Sequence, residues 1–389
     1  MPPRRLRGRG DAMNPAYRAV GRAQSAIARI VVSTDHRRVI GATMLVGVLT
    51  LGVKLTTMLR EVLVAAKLGT GPATEAYIAA WAVPGFLSMM VSNAIVGSLL
   101  PLHARARAER GEEAGEQVFA ETLLVGFVLL LAIVAALAVL PGVVLPIFTS
   151  DHDPEKLALA RRLWFIMLPA VAMNGLGVIW TGMLNAGNRF GMAAVAPVAV
   201  PFVSGLGLVL APGWAAEALA AGFVLGNVVQ LGLLGRELRR HAVRLTPAWH
   251  GGLPETRALF RQFLPLVANG IVIGGLPLVD TAMATTLGDR QLAVLTYGNK
   301  LVQPVLSISS AALATVVFPY FSRLVAEQDW IKLQRTLSTY VRVILVATVP
   351  LTVVLVMLSE SLVHILFQRG AFTAADTAAV ARVQAMLSL

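Results

Sequence analysis

The feature that most constrains this chain is a series of apolar stretches, each about 20 residues long, separated by short polar connections. In hydrocarbon every backbone N–H and C=O must be satisfied within the segment, and a helix rising 1.5 Å per residue needs about 20 residues to cross roughly 30 Å. Such stretches lie near 40–59, 77–100, 118–140, 163–184, 190–211, 214–235, 263–287, 292–318 and 339–367, and a tenth begins near 375. With 56% of its 389 residues hydrophobic and 14% charged, the chain is too apolar for an ordinary soluble domain. The short alternating pattern of barrel strands is missing. The expectation is an all-α, polytopic membrane helical bundle with about nine full spans and part of a tenth.

A net charge of +12 raises the question of nucleic acid, and the distribution of charge answers it. Residues 1–38 hold nine arginines, and basic segments follow the second span (Arg105, Arg107, Arg110), the fourth (Arg189), the sixth (Arg236, Arg239, Arg240, Arg244, Arg257) and the eighth (Arg323, Lys332, Arg335). The connection after the fifth span has no Lys or Arg. Alternation of this kind places basic loops, and the N-terminus with them, in the cytoplasm. The bases therefore face membrane lipid and no nucleic-acid partner is expected. The first 38 residues lack a signal-peptide apolar core and form a basic cytoplasmic tail, either as a short interfacial helix or as a disordered segment.

Enzymatic chemistry has little to rest on. The chain has no cysteine, its six histidines are scattered without ligand spacing, and it lacks a phosphate-binding loop and a Ser, His and Asp arrangement. No metal, no cofactor and no catalytic residue is expected. The Gly-rich run "SGLGLVLAPG" reads as close helix packing.

The sequence also matches itself at an offset of about 219 residues. "REVLVAAKLG" aligns with "VDTAMATTLG", Gly69 with Gly288, and Phe148 with Phe367. Two pseudo-symmetric repeats follow: a first helical lobe at 39–240 with six spans, and an incomplete second lobe at 241–389 with three spans and the start of a fourth. By this symmetry a C-terminal part on the order of 60 residues or more is expected to be missing. Repeats of this kind typify secondary transporters, whose substrate site lies between the copies.

Polar stripes run along the first helices of each copy. Thr50, Lys54, Thr57 and Glu61 recur at steps of 4, 3 and 4 on one face, with Arg60 about 60° to the side. Lys54 lies roughly 21 Å into its span, too deep for an interfacial anchor. In the eighth span Thr296, Asn299, Lys300, Gln303, Ser307 and Ser310 form a second stripe, and Asp280 holds the repeat position of Glu61. A central aqueous cavity is expected, with Lys54, Arg60 and Lys300 meeting an anion and Glu61, Glu75 and Asp280 pairing with them or carrying a coupling cation. Two plainer readings stand beside it: Arg60, Glu61 and Glu75 as residues reaching the membrane surface, and Lys54 and Lys300 as packing ion pairs.

The stretches "LREVLVAAKLGTGPATEAYIAAWAVPGFL", "GMLNAGNRFGMAAVAPV", "YGNKLVQPVLSISSAALATVVFPYFSRLVAEQD" and "LFQRGAFTAADTAAVARV" together resemble the MurJ (MviN) lipid II flippase family of the MOP exporter superfamily. The resemblance implies two six-helix lobes and two further helices, moving an undecaprenyl-diphosphate-linked precursor across the cytoplasmic membrane. It also implies that Arg60 matches an essential cavity arginine directly. Lys54 and Lys300 stand where the family usually has arginines, Glu75 where it has an aspartate, and Ser88 where it has another arginine. Lysine keeps the charge but loses the bidentate fork, so another lipid-linked saccharide fits as well as lipid II. The function expected is a flippase for lipid II or an exopolysaccharide precursor, with cell-wall or polysaccharide synthesis proteins as possible partners. The rivals are a cation-coupled multidrug or metabolite exporter of the same superfamily and a non-transporting scaffold in a cell-envelope assembly complex.

Overall fold

Each apolar stretch becomes a helix, and Gly, Pro and capping residues set where the helices stop. A computed structural model of the chain describes residues 47–149, 154–241, 243, 245–251, 254–326 and 328–389. The basic tail at 1–38 and the start of the first expected span lie outside the described residues, as does the Ser310 side chain. Helix α1 runs through 47–68, followed by α2 (Pro72–Arg110), α3 (Glu112–Val139), α4 (Pro141–Phe148), α5 (Pro154–Ala186), α6 (Phe190–Val195) and α7 (Ala199–Leu210). The remainder are α8 (Ala215–Arg240), α9 (Pro254–Thr286), α10 (Gln291–Ala326), α11 (Trp330–Met357), α12 (Ser359–Phe367) and α13 (Ala374–Leu387). No strand occurs among the described residues, and seven of the helical segments are long and apolar enough to cross a membrane.

The repeat is visible in the element boundaries. Helices α2, α3, α4 and α5 start at 72, 112, 141 and 154, and α10, α11, α12 and α13 at 291, 330, 359 and 374, so the offsets are 219, 218, 218 and 220. The last pair but one departs from the sequence expectation in the second copy. The ninth span, expected at 339–367, ends at Met357, and Leu358 turns the chain into the separate short helix α12. Leu140 does the same between α3 and α4. At eight and nine residues, α4 and α12 are too short to span, and an apolar run alone does not disclose such a break. The fifth span also divides, because Pro197 has no N–H to donate and sits in a single 3₁₀ turn between α6 and α7.

Packing builds the two halves differently from simple neighbours in sequence. In the first half, Trp164 of α5 is fully buried among α2, α4 and α8, its indole N–H donating to the Leu137 carbonyl at 3.1 Å. The expected close packing of α7 and α8 is present: a Cβ on Gly222 would lie 2.7 Å from Ser204 Cα. Across the junction the helices exchange. Ala65 of α1 packs on Tyr297, Phe367, Phe372 and Val380 of the second copy. Helix α9 of the second copy lies along α2 of the first, with Leu278 against Ala79 and Leu292. Exposed Leu264, Val272 and Val346 give α9 and α11 apolar outer faces suited to lipid.

Two turns meet at one end of this junction. Gly69, at φ 60°, ends α1 so close to Ala371 that a Cβ would fall 2.6 Å from its carbonyl oxygen. The Ala371 N–H donates to the Ala66 carbonyl at 2.8 Å. Thr373 and Asp376 form a capping box at the start of α13, and Asp376 also accepts from the Thr70 hydroxyl at 2.5 Å.

Candidate functional site

The exchanged helices leave a cavity of about 760 Å³ between the halves, walled by α1, α2, α5, α9 and α10. Its head is charged. Arg60 and Glu61 come from the third turn before the end of α1, and Lys300 comes from the third turn of α10. Lys300 Nζ donates to a Glu61 carboxylate oxygen, and Arg60 Nη1 lies 3.5 Å from the other. The side chains are 15%, 10% and 25% exposed for Arg60, Glu61 and Lys300, so water screens them little. Two cations share one carboxylate, which leaves one positive charge in excess at the cavity head.

Aromatic residues hold these cations in place. Lys300 Nζ sits 4.4 Å from the Tyr297 ring centre, and Arg60 Cζ lies 5.8 Å from that of Tyr77 while Nη2 reaches the Tyr77 hydroxyl at 3.5 Å. Arg60 Nε is buried and has no acceptor among the described residues. Toward the other end the wall turns apolar with Phe86, Met89, Leu266 and Ile273, relieved by the amides of Asn93, Asn174 and Asn269. These three asparagines were legible as polar residues in apolar helices, yet they belong to neither stripe and sequence reasoning passed over them.

Of the residues singled out from sequence, Arg60, Glu61 and Lys300 converge here, joined by Thr296. The others do not line the cavity. Ser88 is fully buried and donates to the Val171 carbonyl of α5 at 2.7 Å, because its side of α2 packs on α5 while Phe86 and Met89 look inward. Glu75, also buried, pairs with Lys156 and accepts from Leu292 N–H at 3.1 Å, tying together α2, α5 and the start of α10. Asp280 is exposed, and the adjacent Thr281 faces the cavity in its place. Lys54 and Thr50 are exposed on the first half of α1, where Leu51, Gly52 and Leu55 are exposed as well. Thr57 bonds back to the Val53 carbonyl at 2.8 Å, Asn299 is half-buried off the cavity and Gln303 is exposed. A helical wheel fixes the face of a helix but not the depth at which a neighbour covers it.

Sequence reasoning did not find Lys156 or Asp376. Lys156 Nζ contacts Glu75 and lies 3.5 Å from Asp289, while Asp376 bonds Thr70 and lies 3.8 Å from Arg290. Residues 70 and 156 of the first copy correspond to 289 and 376 of the second, at the offsets of 219 and 220 seen in the helix starts. Each copy's first turn thus holds the other copy's fifth helix. Both contacts close the end of the cavity beyond Arg60 and Lys300.

Two like helical halves around a charged central cavity define a multi-pass membrane protein built from two pseudo-symmetric helical repeats. The solved structure "Lipid II flippase MurJ, inward closed conformation" has this fold, with a TM-score of 0.75 at 20% identity over 89% of this chain and 72% of that one. "Inward-facing conformation of a multidrug resistance MATE family transporter of the MOP superfamily" shares it at a TM-score of 0.66 and 13% identity, over 87% of this chain and 79% of that one. The family profile described as "Lipid II flippase MurJ" matches residues 64–389, and the chain belongs to that family. A probable lipid II flippase MurJ of Rhizobium meliloti (strain 1021) is 28% identical over 356 residues, 88% of this chain and 66% of the relative. The lipid II flippase MurJ of Burkholderia cenocepacia is 25% identical over 342 residues, 85% of this chain and 66% of the relative. The chain therefore spans just under two thirds of the length of these relatives, at 66%.

Proposed function

We propose that the chain moves an undecaprenyl-diphosphate-linked oligosaccharide, such as lipid II or an exopolysaccharide precursor, across the bacterial cytoplasmic membrane by alternating access. The observation that carries this reading is Arg60 and Lys300 sharing the single carboxylate of Glu61 at the head of the cavity. A diphosphate brings the negative charge that this site lacks, and the unsatisfied Arg60 Nε supplies a donor for it. The chain's part is binding and movement, with no covalent step and no cofactor.

The lobes at 39–240 and 241–389 rock against each other, and the basic tail at 1–38 lies in the cytoplasm with the N-terminus. Basic residues at the far end of α2 then mark the cytoplasmic side, and the turns at Gly69 and Gly288 the outer side. Lys54, on the face of Glu61 and about 10 Å nearer the cytoplasm, is the first cation that an entering diphosphate meets. Enzymes of cell-wall or polysaccharide synthesis supply the substrate.

The test follows labelled lipid-linked precursor to the outer leaflet in cells depleted of their own flippase. Lys300→Glu and Arg60→Glu are expected to abolish its appearance, while Lys300→Arg retains it. Full activity in both Glu variants sinks the reading.

A further inference from the structure

A second pocket, of about 640 Å³, shares no residue with the central cavity. It lies between Trp180, in the last two turns of α5, and the C-terminal turns of α8. Arg236, Arg239 and Arg240 follow the i, i+3, i+4 spacing that sets three guanidiniums on one side of a helix. Like charges so placed repel one another. Arg240 has Glu237 at 3.6 Å, whereas Arg236 and Arg239 have no ion pair or hydrogen bond among the described residues. The buried indole Nε1 of Trp180 has no acceptor among them. Gly235 lets the Trp180 ring close over the helix, since a Cβ there would stand 3.1 Å from the ring, and Gly232 leaves open space.

From this geometry we infer a binding site for the phosphate of an anionic membrane phospholipid. Guanidinium forks and an indole N–H all donate, and the phosphate oxygens of a phosphodiester all accept. The level is right, because the apolar run of α8 ends at Arg236 and the basic side of the membrane begins there. A free phosphate would use the head of this site only. Arg236, Gly232, Val229 and Leu225 recur at steps of 4, 3 and 4, so an exposed apolar track leads from the pocket toward the middle of the membrane, where an acyl chain lies. The ligand completes the surface of the first lobe and takes no part in the central cavity.

The test is native mass spectrometry of the purified full chain with added phosphatidylglycerol, phosphatidylcholine or inorganic phosphate. Phosphatidylglycerol is expected to be retained about tenfold better than phosphatidylcholine, and Arg236→Gln with Arg239→Gln to remove that preference. Trp180→Phe keeps the ring, loses the N–H and weakens retention by about threefold. Gly232→Leu keeps every arginine but fills the pocket, and its expected loss matches that of the double arginine variant. Equal retention of phosphatidylglycerol by the parent, the arginine variant and Gly232→Leu overturns the site. Displacement of the lipid by millimolar inorganic phosphate overturns the lipid assignment in favour of a free anion.

Discussion

The Thr70 hydroxyl donates to the Asp376 carboxylate at 2.5 Å, joining the first turn of one copy to the fifth helix of the other. Its repeat counterpart is Asp289 at 3.5 Å from Lys156, the same junction with the acid on the turn and a cation on the helix. The first contact is buried, with Thr70 2% and Asp376 5% exposed, whereas the Asp289 side chain is 74% exposed. A buried charge-assisted hydrogen bond contributes about 1.5–3 kcal/mol, and an exposed ion pair at most about 1 kcal/mol. Thr70 with Asp376 is therefore the stronger of the two closures.

Loosening that closure is expected to open the cavity from the side where α2 begins. The chain has no cysteine, so Thr281→Cys places a single thiol on the cavity wall. Adding Thr70→Val should raise its labelling by a membrane-impermeant reagent applied from that side by about tenfold, the equivalent of roughly 1.4 kcal/mol. Labelling unchanged by Thr70→Val would show that the turn contact does not hold the cavity shut.

Glu61 is the carboxylate that stands between the two cavity cations, so its loss costs more than the loss of either cation. Glu61→Gln leaves Arg60 and Lys300 facing each other in a weakly solvated site and is expected to destabilise the fold by about 3–5 kcal/mol. Lys300→Met leaves Glu61 paired with Arg60 and costs less. Thermal unfolding in detergent ranks the two, and the reverse order contradicts the geometry.

Lys156 and Glu75 form an ion pair whose side chains are 3% and 2% exposed. Removing one partner by Lys156→Met strands a buried charge at an expected cost of about 3–5 kcal/mol. Replacing both, with Glu75→Leu, should recover a large part of that loss, although the Leu292 N–H then loses its acceptor. Additive losses in the double variant would mean that the two side chains act independently.

Two glycines on α1 and its terminal turn predict opposite outcomes from one substitution. Gly69→Ala forces a Cβ onto the Ala371 carbonyl at a positive φ and should destabilise by more than about 1 kcal/mol. Gly52→Ala meets open space inside a helix and should stabilise by up to about 1 kcal/mol. Melting temperatures of the two variants in the same detergent decide the matter.

By itself the sequence determined that the chain is helical, that it crosses a membrane, that it is built twice, and that Arg60, Glu61 and Lys300 stand on polar faces. Hydrocarbon imposes the first two, because it permits no unsatisfied backbone and no lone charge, and both rules act on contiguous residues. The tertiary structure alone decided which polar faces look into the cavity. Lys54 and Glu61 share a face of α1, yet only Glu61 lies at the depth where α10 covers it with Lys300. Ser88 and Glu75 carry polar groups for the opposite purpose, satisfying helix contacts with α5 and α10. Asp376 was invisible because an acid in the first turn of a helix is ordinary, and Lys156 because its partners are distant in sequence; each acquires meaning from a turn contributed by the other copy. Periodicity is a local property, whereas burial is set by partners far away in the chain, and that is why the cavity had to be seen in three dimensions.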